Sequence, residues 1–308
     1  MRGYKLQLIN SNSYNNSLKQ RGRIDFWLDD SRFSNWGYSE KHSRGGKILY
    51  SDAVIELMLI LSYVYKLPLR QTEGFMMSLL SMYGQSLSVP DYTTVCQRRK
   101  SLDVSKKLKS WNRIENIVFA IDGSGLKCCG EKEWMRKKHK VTRRRKFTKF
   151  HVGINVSERH ILFNKTSSSK VHDGSILPEA VEEVEESMKT LLADGAYDFK
   201  SSCRIVSSDV DVIIPPRSNA VKDHKTEQRN QAIEYIHQHG KATWKREVGN
   251  HQRSLVENTF SRWKTIFGDT INSKSNESQQ VEVTLKSYIL NKMTDLGMPQ
   301  WKRIYLLN

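Results

Sequence analysis

The residues of this chain best suited to chemistry are three acids in separate segments, Asp122, Asp194 and Glu257. Two of them close short apolar runs and precede a glycine: Ile117-Val118-Phe119-Ala120-Ile121-Asp122-Gly123 and Leu191-Leu192-Ala193-Asp194-Gly195. Continuous apolar runs of that length read as central strands buried on both faces, and ligands of α/β sheets bind at strand carboxyl ends. The glycines are expected to let the backbone turn sharply and leave each carboxylate open, although a plain Asp-Gly turn is the alternative for either one alone. Glu257 falls on a helix expected over residues 252–267. At about 100° per residue, Val256, Phe260, Trp263 and Phe267 make a core stripe, while Arg253, Glu257 and Lys264 cluster within about 40° on a face some 70° away. Taken alone, that trio also reads as an i,i+4 salt bridge on a surface helix.

Three carboxylates from separate elements suit phosphodiester transfer. Charge must be neutralised on the attacking and the leaving oxygen, which two Mg²⁺ ions about 3.5–4 Å apart do when hard oxygen ligands hold them. Neighbouring Arg and Lys side chains suit the phosphate oxygens. The composition agrees: 308 residues carry 50 Lys and Arg against 33 Asp and Glu, a net charge of +17, with a pI near 9.6. That is the electrostatic footprint expected of a nucleic-acid partner. No run approaches the roughly 18 apolar residues of a membrane span, and residues 1–12 lack the apolar core of a secretory signal. Cys96, Cys128, Cys129 and Cys203 form no C-x-x-C pair, so the reading is a reduced chain without a zinc site. His139, His151 and His172 show no metal-ligand spacing either, and read as structural or DNA-contacting.

The elements that must position these acids follow from periodicity. Residues 1–50 are polar, with scattered anchors such as Trp27 and Trp36. Ser51 or Asp52 can cap a helix carrying Val54, Leu57, Met58, Leu61 and Tyr65; Pro68 interrupts it, and a second helix is expected over 70–82, closed by Gly84. A short segment over 92–100 ends in Arg98-Arg99-Lys100. This fits a helix-turn-helix unit, or ordinary helical packing with a solvated basic end. Beyond the strand at 117–121, residues 150–163 alternate as a hairpin, and a helix capped by Ser175 is expected to run through Leu177, Val181, Val184 and Met188. Its acidic face reads as solvated, or as a surface that keeps DNA away. Further strands are expected at 191–193 and 210–214, a helix between them at 198–206, and a polar helical stretch over 222–240. The class is α/β with a mixed sheet.

Read as blocks, the sequence resembles the DDE transposases of bacterial insertion sequences, in the group with a Tyr-x2-Arg-x3-Glu-x6-Lys signature. Arg253-Ser-Leu-Val-Glu257 and the spacing to Lys264 match it, with Asn250 at the Tyr position. Ala120-Ile-Asp122-Gly-Ser-Gly-Leu-Lys127 resembles the first-acid block, and Asp194-Gly-Ala-Tyr-Asp198 the second. Pro215-Pro216-Arg217 is similar to the segment between second and third acids, and residues 90–100 to the one preceding the catalytic domain. The resemblance spans about residues 40–295. It implies a ribonuclease-H-like mixed-sheet catalytic core preceded by a helical DNA-binding region. Asp122, Asp194 and Glu257 would be the catalytic, metal-holding triad for two Mg²⁺ ions, with Mn²⁺ able to substitute. Domains are expected at 1–50 (polar segment), 51–114 (helical DNA-binding region), 115–295 (catalytic) and 296–308 (tail). The implied activity is binding of terminal inverted repeats, cleavage at the element ends and joining of the 3′-hydroxyl to target DNA. Asn250 keeps a second reading open, an inactive transposase-derived DNA-binding protein or repressor. A nuclease or resolvase that cuts without joining is a third, against which the basic N-terminal region argues. The expected partners are double-stranded DNA and a second copy or more of the chain on it, without membrane or nucleotide cofactor, in the bacterial cytoplasm at the nucleoid.

The densest charge run has a place in this reading. Residues 136–149 carry nine Lys and Arg with no acid: Arg136, Lys137, Lys138, Lys140, Arg143, Arg144, Arg145, Lys146 and Lys149. These, with Lys127, Arg253, Lys264, Arg98, Arg99 and Lys100, are the expected DNA contacts. Trp134 either stacks on an unpaired base or packs into its loop. Phosphate contacts give affinity with steep salt dependence and little sequence information. Replacing Arg143, Arg144 and Arg145 by Ala should therefore weaken binding on every sequence and flatten the log K against log salt slope by about 3. An unchanged slope in a salt titration would take the run out of the interface.

Overall fold

The computed structural model describes residues 4–28, 33–38, 48–128, 147–199 and 202–305. The chain divides into two compact units, Met1–Leu102 with Ile289–Asn308, and Asp103–Tyr288. In the first, β1 (Tyr4–Leu8) pairs antiparallel with the strand Trp301–Tyr305. Helices α1 (Ser11–Arg21), α2 (Ile24–Trp27), α3 (Asp52–Tyr65), α4 (Leu69–Met82) and α5 (Tyr92–Arg98) follow β1 in sequence. Helix α3 is apolar on nearly every face, and its residues from Val54 to Leu61 are buried. Pro68 precedes α4 rather than merely ending α3, since a proline costs no hydrogen bond at a helix start. Gly84 ends the pair with a φ of +65°, a conformation that favours glycine. The Asp91 carboxylate caps α5 by accepting from the Thr93 and Thr94 N–H groups. Ser51 precedes α3 but its hydroxyl donates to the Asn35 carbonyl instead of capping the helix.

The second unit is built on one mixed sheet. Strand β2 (Ile117–Cys128) pairs antiparallel with β3 (Phe147–Asn155), which pairs antiparallel with β4 (Ile161–Ser168). On its other side β2 pairs parallel with β5 (Met188–Leu192), and β5 with β6 (Asp211–Ile213). The order β4-β3-β2-β5-β6 is that of a ribonuclease-H-like core. A two-residue strand, β7 (Thr270–Ile271), adds to the far end of β2. One face of the sheet buries Ile117, Phe119 and Ile121 against Ile176, Leu177, Ala180, Val181 and Val184. The other receives α9 (Ser254–Phe267), whose Phe260 and Trp263 rings lie 5.8 and 5.0 Å from that of Phe150.

Several expectations need correction. Asp122 is not at a strand end, because β2 continues to Cys128 and stays paired with β3 as far as Lys127. The helix expected over 175–188 is the short α6 (Leu177–Glu182), and Met188 opens β5. Between β5 and β6 the described residues contain only single 3₁₀ turns, not a helix. The polar stretch after β6 is two helices, α7 (Glu227–His239) and α8 (Lys241–Glu247). The signature helix starts two residues later than expected, after a 3₁₀ turn at Asn250–Arg253. Helix α10 (Asn276–Asp295), the strand pair at the termini and β7 carry no counterpart in the sequence reading. Trp134, His139 and the basic run from Arg136 to Lys146 lie outside the described residues.

Packing at the sheet centre is tight at Gly153, where a Cβ would stand 2.1 Å from the Phe119 ring. Gly153→Ala should destabilise by about 1–3 kcal/mol through overpacking. Gly74→Ala, exposed on α4 with open space around it, should stabilise by about 0.5–1 kcal/mol. Urea unfolding of both variants checks the pair; a neutral Gly153→Ala would contradict this packing.

Candidate active site

The site begins where two parallel strands part. The β2–β5 register ends at Ala120 opposite Leu192. Two residues beyond each lie Asp122 and Asp194, so the same register brings the two acids level. From there the chain after β5 leaves the sheet in the turn Gly195–Tyr197, and β2 goes on beside β3, with no described strand on its β5 side until β7 joins at Lys127. Neither Gly123 nor Gly195 adopts a positive φ. A Cβ at Gly123 would meet Asp173 Oδ1 and His151 Nδ1 at 3.3 Å, so those side chains would have to give by a few tenths of an ångström.

Alternation along β2 sends Asp122, Ser124 and Leu126 to the face covered by α9. Two bonds tie that helix to the strand beside its ring packing. Lys264 Nζ donates to Ser124 Oγ at 2.7 Å. Arg253 Nη1 donates to Asp122 Oδ2 at 2.6 Å, while its Nη2 donates to Glu257 Oε1 at 3.0 Å. One guanidinium thus joins the first and third acids. Asp122 Oδ1 also accepts from the Gly123 N–H at 2.8 Å, and Asp194 Oδ1 accepts from the Ala196 N–H at 2.8 Å. Burial raises the Asp122 carboxyl above the usual carboxylate range; the Gly123 N–H and Arg253 oppose this, and the nearby Asp194 and Glu257 charges add to it. All three acids therefore share one electrostatic neighbourhood. Among the described residues no three acid, His or Cys side chains are drawn up as a ligand set for a metal ion. The donor set nonetheless fits one: hard carboxylate oxygens whose repulsion is relieved by a cation, here a guanidinium.

The turn carrying Asp194 is clamped from behind. Asp198 is buried and accepts from Arg229 Nε at 2.6 Å and Nη2 at 3.2 Å, and from the Arg217 N–H at 2.9 Å. The Arg217 guanidinium donates to the Gly195 and Ala196 carbonyls. Asn250, at the signature tyrosine position, is buried and donates to the Ile213 carbonyl at 3.4 Å. Arg229 and Asp173 escaped the sequence reading, Ser124, Asp198 and Arg217 stood in its resemblance blocks without a role, and His151 was read as structural or DNA-contacting. That Ser124 shares a strand face with Asp122 follows only from the continuation of β2 along β3. Of the expected DNA contacts, Lys127 pairs with Asp269 at 2.6 Å, and Lys149 donates to Asp173 and the Val171 carbonyl. Arg98 donates to the Asp52 carboxylate and the Tyr50 carbonyl, and Lys100 is exposed.

A family model described as a transposase DDE domain matches residues 114–292, more than half of the chain. This chain belongs to the DDE transposase family. A second model of the same description matches residues 19–131. Among solved structures the chain is similar to a piggyBac transposase synaptic complex with hairpin DNA, at 10% identity and a TM-score of 0.43, over 94% of this chain and 76% of that one. No described helix of this transposase is long and apolar enough to cross a membrane.

Beneath Gly123 lies a buried histidine. His151 is fully buried, with Nε2 2.8 Å from Ser167 Oγ, and burial pushes it down to about 4. An unfolded chain holds the His proton near pH 6.5. The stability tied to a neutral His151 is complete above that value and lost as pH falls towards 4. Between pH 7 and pH 5 the unfolding free energy should drop by roughly 2 kcal/mol from this group. In His151→Gln that part should vanish; equal slopes in urea titrations of both proteins would contradict it.

Proposed function

We propose that this transposase binds the terminal inverted repeats of an insertion sequence, cuts at the element ends and joins the freed 3′-hydroxyl to target DNA. Asp122, Asp194 and Glu257 are the carboxylates of the reaction. The observation that supports this most is the Arg253 guanidinium shared by Asp122 and Glu257, beside the level at which Asp194 leaves the sheet.

Two Mg²⁺ ions, or Mn²⁺ in their place, would be held by the three acids and would neutralise charge on the attacking and leaving oxygens. The chain does the rest. The Gly123 and Ala196 N–H groups fix the rotation of Asp122 and Asp194. Arg253 and Lys264, one turn before and two turns after Glu257, receive phosphate oxygens of the DNA. In cleavage a water oxygen bonds to phosphorus, the 3′ oxygen leaves and takes up a proton. In joining, that 3′-hydroxyl oxygen bonds to a target phosphorus and the target's own 3′ oxygen leaves with the proton. One phosphodiester is exchanged for another, so no nucleotide cofactor is consumed. Pairing two element ends calls for at least two copies of the chain.

Asp122→Asn, Asp194→Asn and Glu257→Gln should each abolish cleavage and strand transfer on duplexes carrying the element's end, while gel-shift binding survives. A variant cutting at the wild-type rate would refute its residue's assignment. Binding by the wild type without cutting, under Mg²⁺ and Mn²⁺ alike, would favour the inactive DNA-binding descendant.

A further inference from the structure

The guanidinium that joins two acids occupies the place a bound cation would compete for. We infer that Arg253 is an internal stand-in for the metal: in the free protein it closes the acid site, and a DNA phosphate draws it away, so that DNA and divalent-metal binding are coupled through this one side chain. The inference rests on the reading of Asp122, Asp194 and Glu257 as metal-holding acids.

The geometry uses both arms of the fork on different carboxylates, Nη1 on Asp122 and Nη2 on Glu257. Like charges this close need a cation among them, and a metal would need the same oxygens. A planar guanidinium binds phosphate as well as carboxylate, so it changes partner without losing its hydrogen bonds. The two halves of the contact are unequal. The Glu257 side chain is 59% exposed and the Asp122 side chain 17%, so the Glu257 half is the more strongly screened by water. Arg253 itself is 23% exposed and sits at the head of α9, where its long side chain can swing with the helix in place. Coupling of this kind is reciprocal: whatever DNA adds to metal affinity, metal adds to DNA affinity.

The test is calorimetric titration of Mn²⁺ into the full chain, wild type and Arg253→Gln, alone and with a saturating duplex of arbitrary sequence. The Asp122→Asn chain with the same duplex supplies the baseline for metal bound by DNA itself. Without DNA, Arg253→Gln should bind Mn²⁺ about tenfold more tightly than wild type, the scale of one hydrogen bond to a charged group. The duplex should tighten Mn²⁺ binding by wild type and leave the variant unchanged. Arg253→Lys, whose single ammonium cannot span both acids, should fall between, and it carries the comparison if the Gln variant does not fold. Equal Mn²⁺ affinities in wild type and Arg253 variants, lost in Asp122→Asn, would overturn the stand-in and leave the acid site standing. Absence of Mn²⁺ binding in every chain, with and without DNA, would bring down the acid-site reading and the stand-in with it.

Discussion

The charge-assisted contact from Arg253 to Asp122 and Glu257 is the interaction on which the site depends. Carboxylates crowd one another, and Asp122 already holds its proton more tightly because it is buried beside two more acids. A cation among them relieves the repulsion and also fixes the distance between strand and helix. The remaining contacts hold the helix in register for that contact. Phe150 receives the Phe260 and Trp263 rings, and Lys264 reaches Ser124 one strand repeat beyond Asp122.

The second constraint is the point at which the parallel pairing stops. A strand paired on both sides has no room for a ligand at its edge, whereas β2 between Ala120 and Lys127 has no described strand on the β5 side and is still held by β3 on the other. Asp122 thus gains the rigidity of a strand interior with the access of a strand end. Asp194 lies beyond its strand and needs other support, which the buried Asp198–Arg229 pair and the Arg217 contacts supply. A buried ion pair adds little net stability, but breaking it strands a charge, so it favours one conformation of the turn.

Much of this was legible in the residues. The α9 stripe and the adjoining Arg253, Glu257 and Lys264 face follow from helical periodicity, and the apolar runs locate Asp122 and Asp194. The continuation of β2 was hidden because Gly123-Ser124-Gly125 reads as a turn, while the actual constraint is cross-strand pairing with Lys149, Phe150 and His151, far along the sequence. Helix α10 was hidden by its own chemistry. It buries Gln279, Glu282, Thr284, Lys286, Ser287 and Asn291, with Lys286 paired to Glu282 and lying over the Trp263 ring. Val281, Leu285, Ile289 and Met293 do recur every fourth position, but the buried polar residues between them mask that stripe. The pairing of Tyr4 with Tyr305 joins the two ends of the chain and leaves no local trace.

In the proposed function, three acids from separate elements converge on one metal site. Anomalous diffraction at the manganese edge, from crystals of the full chain with a DNA duplex and Mn²⁺, tests it most directly. Anomalous density should be enclosed by the carboxylates of Asp122, Asp194 and Glu257, with the Arg253 guanidinium turned away towards a phosphate. Density at other carboxylates, with Arg253 still bonded to Asp122 and Glu257, would contradict it.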